Sequence, residues 1–446
     1  MLRGAFRQKD GILKHLNTAR IVRRSIHNSI PLREDATSLK RILADSIKAT
    51  GPIPVSRYMS VCTYHPTEGY YSRKDKDPIS KQGDFITSPE ISQVFGELIA
   101  VWYLHQYHSI KHSLSHEGKE VPKKVRFVEL GPGNGTLMSD ILRTWKSFPS
   151  AWNSLDGVHL VETSPTLRET QKSTLESYDK DIQFYDRIQH IEKGSVLDDT
   201  SLTFIVAHEF FDALPIHVFQ KTDVGFREVL VDLTNPRVRD SENESEAEKQ
   251  PAEWNDAETG FKYVVSKQQT PMSSFLPLIA PHIFSEEGKE IGQRLELNVE
   301  GYYIANAIGS LLEGTPGGAA LIVDYGQDGW TGDTLRGFRN HKQVDVLSAP
   351  GECDITSDVD FGVLRESLSH NSANVVGSNV MTQRDFLIRM GVAPRLDTLL
   401  ANATSKERKL LIAESAKRLL DVRGMGSQYK FMAGFSSSQE NRYPFE

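Results

Sequence analysis

Three glycines at alternate positions, Gly131, Gly133 and Gly135, stand between an apolar run and an amphipathic one in "FVELGPGNGTLMSDILRTW". Glycine has no Cβ, so its backbone takes positive φ and comes close to a ligand. The free N–H groups that open the following helix can take a carboxylate. Glu129, just before the turn, is placed for an ammonium or a water-bridged polar group. A carboxylate and an ammonium are the two ends of an amino acid. Glu162 ends the next apolar run, "LVE", where an acid can accept both hydroxyls of a ribose. It lies 27 residues after Gly135, against a usual spacing of about 20; the stretch "RTWKSFPSAWNSLDG" accounts for the excess. An amino acid joined to a ribose describes S-adenosylmethionine. A dinucleotide fingerprint would need glycine where the chain has Thr136, and the Gly-Lys-Ser/Thr of a P-loop is absent. The plainer alternative is a glycine turn chosen only for close helix–sheet packing.

A second group of reactive types follows the apolar run "LTFIVAHE". His208 can accept a proton. Glu209 and Asp212 are three apart and share a face if the turn is helical. Each has a structural alternative: an acid favoured at a helix start, a turn or cap, a hydrogen-bonded histidine. Asp324 and Tyr325 end another apolar run, "LIVDYG", and could face the same crevice. Asp358 and Asp360 flank Val359, so in an extended segment both could face one side.

The elements that hold these residues are legible from periodicity. "VRFVEL", "GVHLVE" and "LTFIVAHE" read as short buried strands, separated by helices at "TLMSDILRTWKSF" and "SPTLRETQKSTLESY". That alternation predicts a parallel sheet covered on both faces. Helical spacing also appears at "DATSLKRILADSIKA", at "SRYMSVCTY", as one long amphipathic helix over "PEISQVFGELIAVWYLHQYH" with Pro89 near its start, and at "SKERKLLIAESAKRLLD". "RLELNVEGYYIANAIGSLLE" reads as a further helix, leading through "GTPGG" into "AALIVDYG". "FREVLVDL" and "FKYVVS" read as paired strands, and "GSQYKFMAGF" as the last strand. The stretch at about 238–259 is acidic and nearly free of aliphatics, as expected of a disordered insertion.

The chain has 446 residues, enough for two or three domains and a sizeable core. Two cysteines, Cys62 and Cys353, exclude a disulfide framework and a cysteine-rich metal site, so no metal is expected. Residues 1–33 carry eight Lys/Arg and one acid, a leader of +7 on a chain of −7, which leaves −14 on the remainder. A nucleic-acid-binding body is disfavoured by that balance. An Arg-rich, acid-poor leader with spaced Leu, Ile and Val suits a mitochondrial presequence. No apolar run approaches the roughly 18 residues of a membrane span.

"QGDFITSPEISQVFGELIAVW", "VELGPGNGTL" and "AHEFFDALPIHVF", with "LIVDYG" and "DITSDVDF" more loosely, resemble the signature blocks of the MidA-type family of S-adenosylmethionine methyltransferases. The resemblance runs from about Thr37 to Phe435. It implies a doubly wound, mainly parallel α/β sheet of the class I methyltransferase type, with helical N-terminal and inserted or C-terminal substrate-binding elements. The expected division is a presequence at 1–33, an N-terminal helical cap at 34–120 and a methyltransferase core at 121–446. Through its mitochondrial branch the resemblance implies a matrix enzyme that makes symmetric ω-N-dimethylarginine in a core subunit of the complex I quinone module and so promotes complex I assembly. Self-association as a homodimer stays open. Guanidinium remains protonated, with a pKa above about 12, so carboxylates such as Glu209 and Asp212 would grip it and aim one nitrogen at the methyl. In "GDFITSPE", Asp84, Thr87 and Ser88 would line the cofactor mouth. Thr87 with Glu90 would make a capping box, whereas capping by Ser88 would not. A catalytically silent assembly scaffold on the same fold, and a nicotinamide oxidoreductase, are the rival readings.

Overall fold

The computed structural model describes residues 38–72, 86–193, 201–234, 260–279, 289–329, 332–436, 439 and 441–446. The leader, Asp84 and the acidic stretch at about 238–259 lie outside the described residues.

Seven strands run through the central sheet: β1 (Lys124–Leu130), β2 (Leu155–Val161), β3 (Asp181–Tyr185), β4 (Ser201–His208), β5 (Gly318–Gln327), β6 (Val375–Gly377) and β7 (Tyr429–Ser436). Their order is β6-β7-β5-β4-β1-β2-β3, and two-residue strands at Val359–Asp360 and Met381–Thr382 extend it. β1 to β5 are mutually parallel where they pair, and β7 runs antiparallel to β5. From β1 the chain winds outward to β3, then returns to β4 and continues the other way. The reversal lies between β1 and β4, and ligands of open α/β sheets bind at such a point, outside the carboxyl ends of the strands.

β4 is buried at all eight positions, as expected of a central parallel strand covered on both faces. Alternate residues face opposite layers. Phe127, Phe204, Val206 and Leu321 join the cluster under the Gln93–His116 and Thr136–Lys146 helices. Val128, Ile205, Ala207 and Ile322 join the one under Val299–Glu313 and Phe361–Ser369. In the first layer Trp145 meets Phe127 edge-on at 4.9 Å between ring centroids and Tyr107 at 5.7 Å. Such pairs add roughly 0.5–1.5 kcal/mol each beyond area burial.

A five-stranded antiparallel sheet (Ile53–Pro54, His217–Thr222, Gly225–Leu233, Phe261–Val265, Arg294–Leu297) is largely inserted between β4 and β5. The "FREVLVDL" and "FKYVVS" strands pair, as expected, and they do so antiparallel. A three-stranded sheet (Arg336–Arg339, Lys342–Val344, Asp354–Thr356) follows β5.

Three expectations need correction. The N-terminal region is no separate cap: Leu43, Ile47, Tyr58 and Met59 of its first two helices pack on Val218, Val231 and Phe261 of the five-stranded sheet, whereas Gln93–His116 packs on the central sheet. The long helix is broken into Ser88–Ile91 and Gln93–His116. Between them Ser92 is extended (φ −159°, ψ 130°) and its Oγ accepts from Val94 N. Finally, "RLEL" is a strand, with Leu295, Glu296 and Leu297 buried; the helix starts beyond Asn298, whose Oδ1 accepts from Gly301 N at 2.6 Å.

Candidate functional site

β1 delivers the glycine turn to the sheet's carboxyl edge. Gly131, Gly133 and Gly135 all have positive φ (62°, 53° and 79°), the conformation that glycine allows at little cost. A Cβ at 131 would sit 2.7 Å from Cδ2 of Phe210. Gly135 occupies the N-cap position of Thr136–Lys146, whose first N–H groups have no intrahelical acceptor. Thr136 Oγ1 donates to Glu90 Oε1 at 2.6 Å, tying the short helix to the turn. Thr87 is the N-cap but its side chain makes no cap hydrogen bond, so the capping box does not form.

Glu162 follows β2 and is anchored by its own neighbours. Its Oε1 accepts from Ser164 N at 2.7 Å and its Oε2 from Gln171 Nε2 at 3.2 Å. The same Gln171 amide donates to Gly133 O at 2.7 Å, so one side chain fixes the turn and the acid together. Burial pushes Glu162 above the usual carboxylate range against these hydrogen bonds. Glu129 is 2% exposed and burial raises it to about 8; its Oε2 has no partner. A buried, unpaired carboxyl beside a glycine cradle and a helix N-terminus fits an amino-acid moiety. Glu162, with lone pairs left on both oxygens, fits a ribose.

The second group lies at the end of β4. Glu209 and Asp212 line one pocket with Glu129, His208, Tyr71, Tyr325 and Asp354. Helical spacing is not what brings them together. The chain turns around Asp324, which is fully buried: its Oδ2 accepts from the N–H groups of Phe210, Phe211 and Asp212 at 3.2, 3.0 and 3.3 Å, and its Oδ1 from Tyr325 N at 3.0 Å. Asp324 thus lies beneath the crevice and does not face it, while Tyr325 does. The turn places Glu209 at φ 49°, a left-handed conformation that costs a non-glycine residue about 1–2 kcal/mol and clusters at functional sites.

Both acids have one oxygen free. Asp212 Oδ2 accepts from the Tyr325 hydroxyl and from Thr356 Oγ1 at 2.8 Å, leaving Oδ1 without a partner. Glu209 is held by the Tyr429 hydroxyl and the Ser88 N–H, yet its Oε1 has no partner. Burial first, then the nearby Asp212 carboxylate, raises Glu209 to about 8. Burial also raises Asp212, opposed by its two hydroxyl donors and Arg336. His208 sits between Phe95 (5.1 Å) and Tyr429 (6.4 Å); burial lowers it to about 3, which makes it a neutral, weak base. Its Nε2 lies 3.5 Å from Glu209 Oε1.

Thr87 lines the pocket. Ser88 Oγ instead donates to Gln383 Oε1 at 3.2 Å within the core. Asp358 pairs with Arg336 at 2.7 Å and Asp360 caps the Phe361–Ser369 helix, so neither reaches the site. Sequence reasoning missed Tyr71, Asp354, Thr356 and Tyr429. Asp354 and Thr356 are the first and third residues of "DITSDVDF", a block whose signal was visible; nothing local marks Tyr71 or Tyr429.

Residues 98–379 match the model of a family of S-adenosyl-L-methionine-dependent methyltransferases. The chain is 36% identical over 422 residues to "Protein arginine methyltransferase NDUFAF7, mitochondrial" of Danio rerio, covering 90% of this chain and 88% of that protein. The Homo sapiens protein of the same name is 34% identical over 424 residues, 90% of this chain and 84% of that one. A Burkholderia thailandensis crystal structure bound to S-adenosyl-homocysteine superposes with a TM-score of 0.67 at 22% identity, over 93% of this chain and 96% of that chain. At that identity the likeness is one of fold. The cofactor is S-adenosylmethionine, for which the glycine turn, Glu129 and Glu162 have the right chemistry. With the family model spanning more than half of it and relatives matching nearly end to end, the chain belongs to the MidA-type family of S-adenosylmethionine-dependent methyltransferases.

Proposed function

We propose that this methyltransferase acts on an arginine ω-nitrogen of a protein in the mitochondrial matrix. Its curated relatives are named as mitochondrial protein arginine methyltransferases, and its basic leader agrees with that address. The acceptor is a core subunit of the complex I quinone module, the product is symmetric dimethylarginine, and the modification promotes assembly of the complex. The observation that carries the reading is the pair Glu209 and Asp212, a half-buried and a buried carboxyl with one unpartnered oxygen each, on the residues that line the pocket with the glycine turn.

The cofactor supplies an electrophilic methyl on a positively charged sulfur. The chain's own residues hold the acceptor. Because Oδ2 of Asp212 is already occupied, a guanidinium is gripped by Glu209 Oε1 and Asp212 Oδ1, one oxygen from each acid. Its arrival brings a fixed positive charge, which draws Glu209 down from about 8 into the ionised form. When the nitrogen's electron pair forms the new bond to carbon, the carbon–sulfur pair stays on sulfur and one N–H proton must leave. Glu209 is placed to take it. Alignment of this kind supplies on the order of 7–11 kcal/mol. His208 is too weak a base to compete and packs as a neutral neighbour of Glu209.

Mass spectrometry of arginine methylation in complex I subunits, from cells with and without this protein, tests the reading. Loss of one symmetric dimethylarginine is expected. An unchanged methylation pattern overturns it.

A further inference from the structure

Beyond the acid pocket a wide cleft continues toward the five-stranded sheet. The Val55–Tyr64 helix lines it with Ser56, Arg57, Ser60 and Tyr64, and the Val299–Glu313 helix with Glu300 and Tyr303. His217 lines the same cleft, five residues after Asp212. Its Nδ1 lies 2.7 Å from Glu228 Oε1, and Glu228 is 1% exposed with its other oxygen taken by the Thr270 hydroxyl. A carboxylate only accepts, so Nδ1 is the donor and Nε2 is left toward the cleft. Ser56 Oγ approaches His217 Nδ1 at 3.5 Å, which brings the first turn of the helix to the histidine; Arg57, the next residue, lines the same cleft.

Arg57 is exposed and, among the described residues, makes no ion pair or hydrogen bond. An exposed arginine is usually just solvated. This one sits in the first turn of a helix with no acidic residue there and no side-chain cap, where the dipole disfavours a cation. It lines the cleft that His217 also lines, and that histidine is oriented by a buried acid.

We infer that Arg57 and His217 form a second recognition point, which binds a carboxylate side chain of the protein substrate a few residues from the methylated arginine. The inference rests on the arginine reading above, since it assumes that the guanidinium occupies the acid pocket. The substrate class is then a segment in which an acidic residue flanks the target arginine. The acid pocket reads the cation and this pair reads the anion. A guanidinium donates two hydrogen bonds to a carboxylate in fixed geometry, and the imidazole adds a third from Nε2 when protonated.

The test uses the full chain with S-adenosylhomocysteine and fluorescent arginine peptides, in which Asp or Glu is placed at each of several flanking positions and compared with Asn or Gln. Anisotropy should show one position where the acid binds at least roughly tenfold tighter than its amide, the scale of one charged hydrogen bond. In Arg57→Gln that ratio should fall toward one, and in Arg57→Glu it should invert. An equal preference in wild type and Arg57→Gln overturns the inference. So does a loss of S-adenosylhomocysteine affinity in Arg57→Gln with peptide preference unchanged, which would assign the arginine to the cofactor. Labelled methyl transfer is followed on the same peptides. An acid preference in binding without any transfer would contradict the arginine reading and leave the recognition point standing.

Discussion

Glu209 is raised to about 8 by burial and by Asp212, so near neutral pH the ligand-free site holds it protonated. Gripping a guanidinium needs the carboxylate. Substrate capture is thus linked to proton release, and kcat/KM at saturating cofactor should climb with pH and level off at or below about 8. A pH profile checks this: the limb should vanish in Glu209→Gln. At the cofactor end, Gly133 has φ 53°, and a β-branched side chain there is strained and occupies ligand space. Gly133→Val should abolish S-adenosylhomocysteine binding in calorimetric titration while cooperative unfolding persists. Much of this scale was legible in the sequence, because reactive types at strand ends followed by glycine or helix signals are local patterns. The convergence of Glu209 with Asp212 was legible only by accident. The reason offered was helical spacing; the actual cause is Asp324, more than a hundred residues away, and no local pattern reports a partner at that distance.

Among the elements, the turn after β4 depends on β5. Asp324 accepts four backbone N–H groups, so Asp324→Ala leaves buried donors unpaired. It should cost at least about 2 kcal/mol in denaturant unfolding and lower transfer along with stability, because both acids lose their positions. Periodicity found β1, β2, β4, β5 and β7, whose apolar runs are long. It failed where an element is short or interrupted by one residue. "RLEL" reads as helix beside "NVEGYYIANAIGSLLE", and only the Asn298 cap separates them. Ser92 breaks the long helix by taking an extended conformation and capping the second segment through Val94 N, while Glu90 of the first segment accepts from Thr136. Strand β3, "DIQFY", is partly exposed at the sheet edge and carries too weak an alternation to stand out.

At the scale of the whole molecule, several buried groups bias stability with pH. Glu129 and Glu209 are both raised to about 8. For such acids the unfolded chain releases protons first, so their contribution is complete below about 4.5 and is lost as pH rises to about 8. His208 and His159 are lowered to about 3 and about 4, so their contribution is lost as pH falls below about 6.5. The thermal midpoint of the ligand-free protein should therefore peak at mildly acidic pH and fall toward pH 8. A scan of Tm against pH checks this, and a midpoint still rising from pH 6 to pH 8 would contradict it. Deleting residues 1–33 should leave transfer in vitro unchanged and prevent import into isolated mitochondria, since the leader is basic and the body acidic.

The central claim is that Glu209 and Asp212 hold the acceptor, and single-turnover transfer of labelled methyl to the proposed substrate, a complex I core subunit, tests it most directly. Wild type, Glu209→Gln, Asp212→Asn and the double variant would be compared at saturating cofactor. Glu209→Gln should keep cofactor affinity within a few-fold and lose at least about 10² in rate, the scale of one electrostatic contact in a dry site. Asp212→Asn should lose less, because the Tyr325 and Thr356 hydroxyls still hold its side chain. The double variant should be little worse than Glu209→Gln if the two acids act as one clamp. A near-wild-type rate in Glu209→Gln would contradict the account.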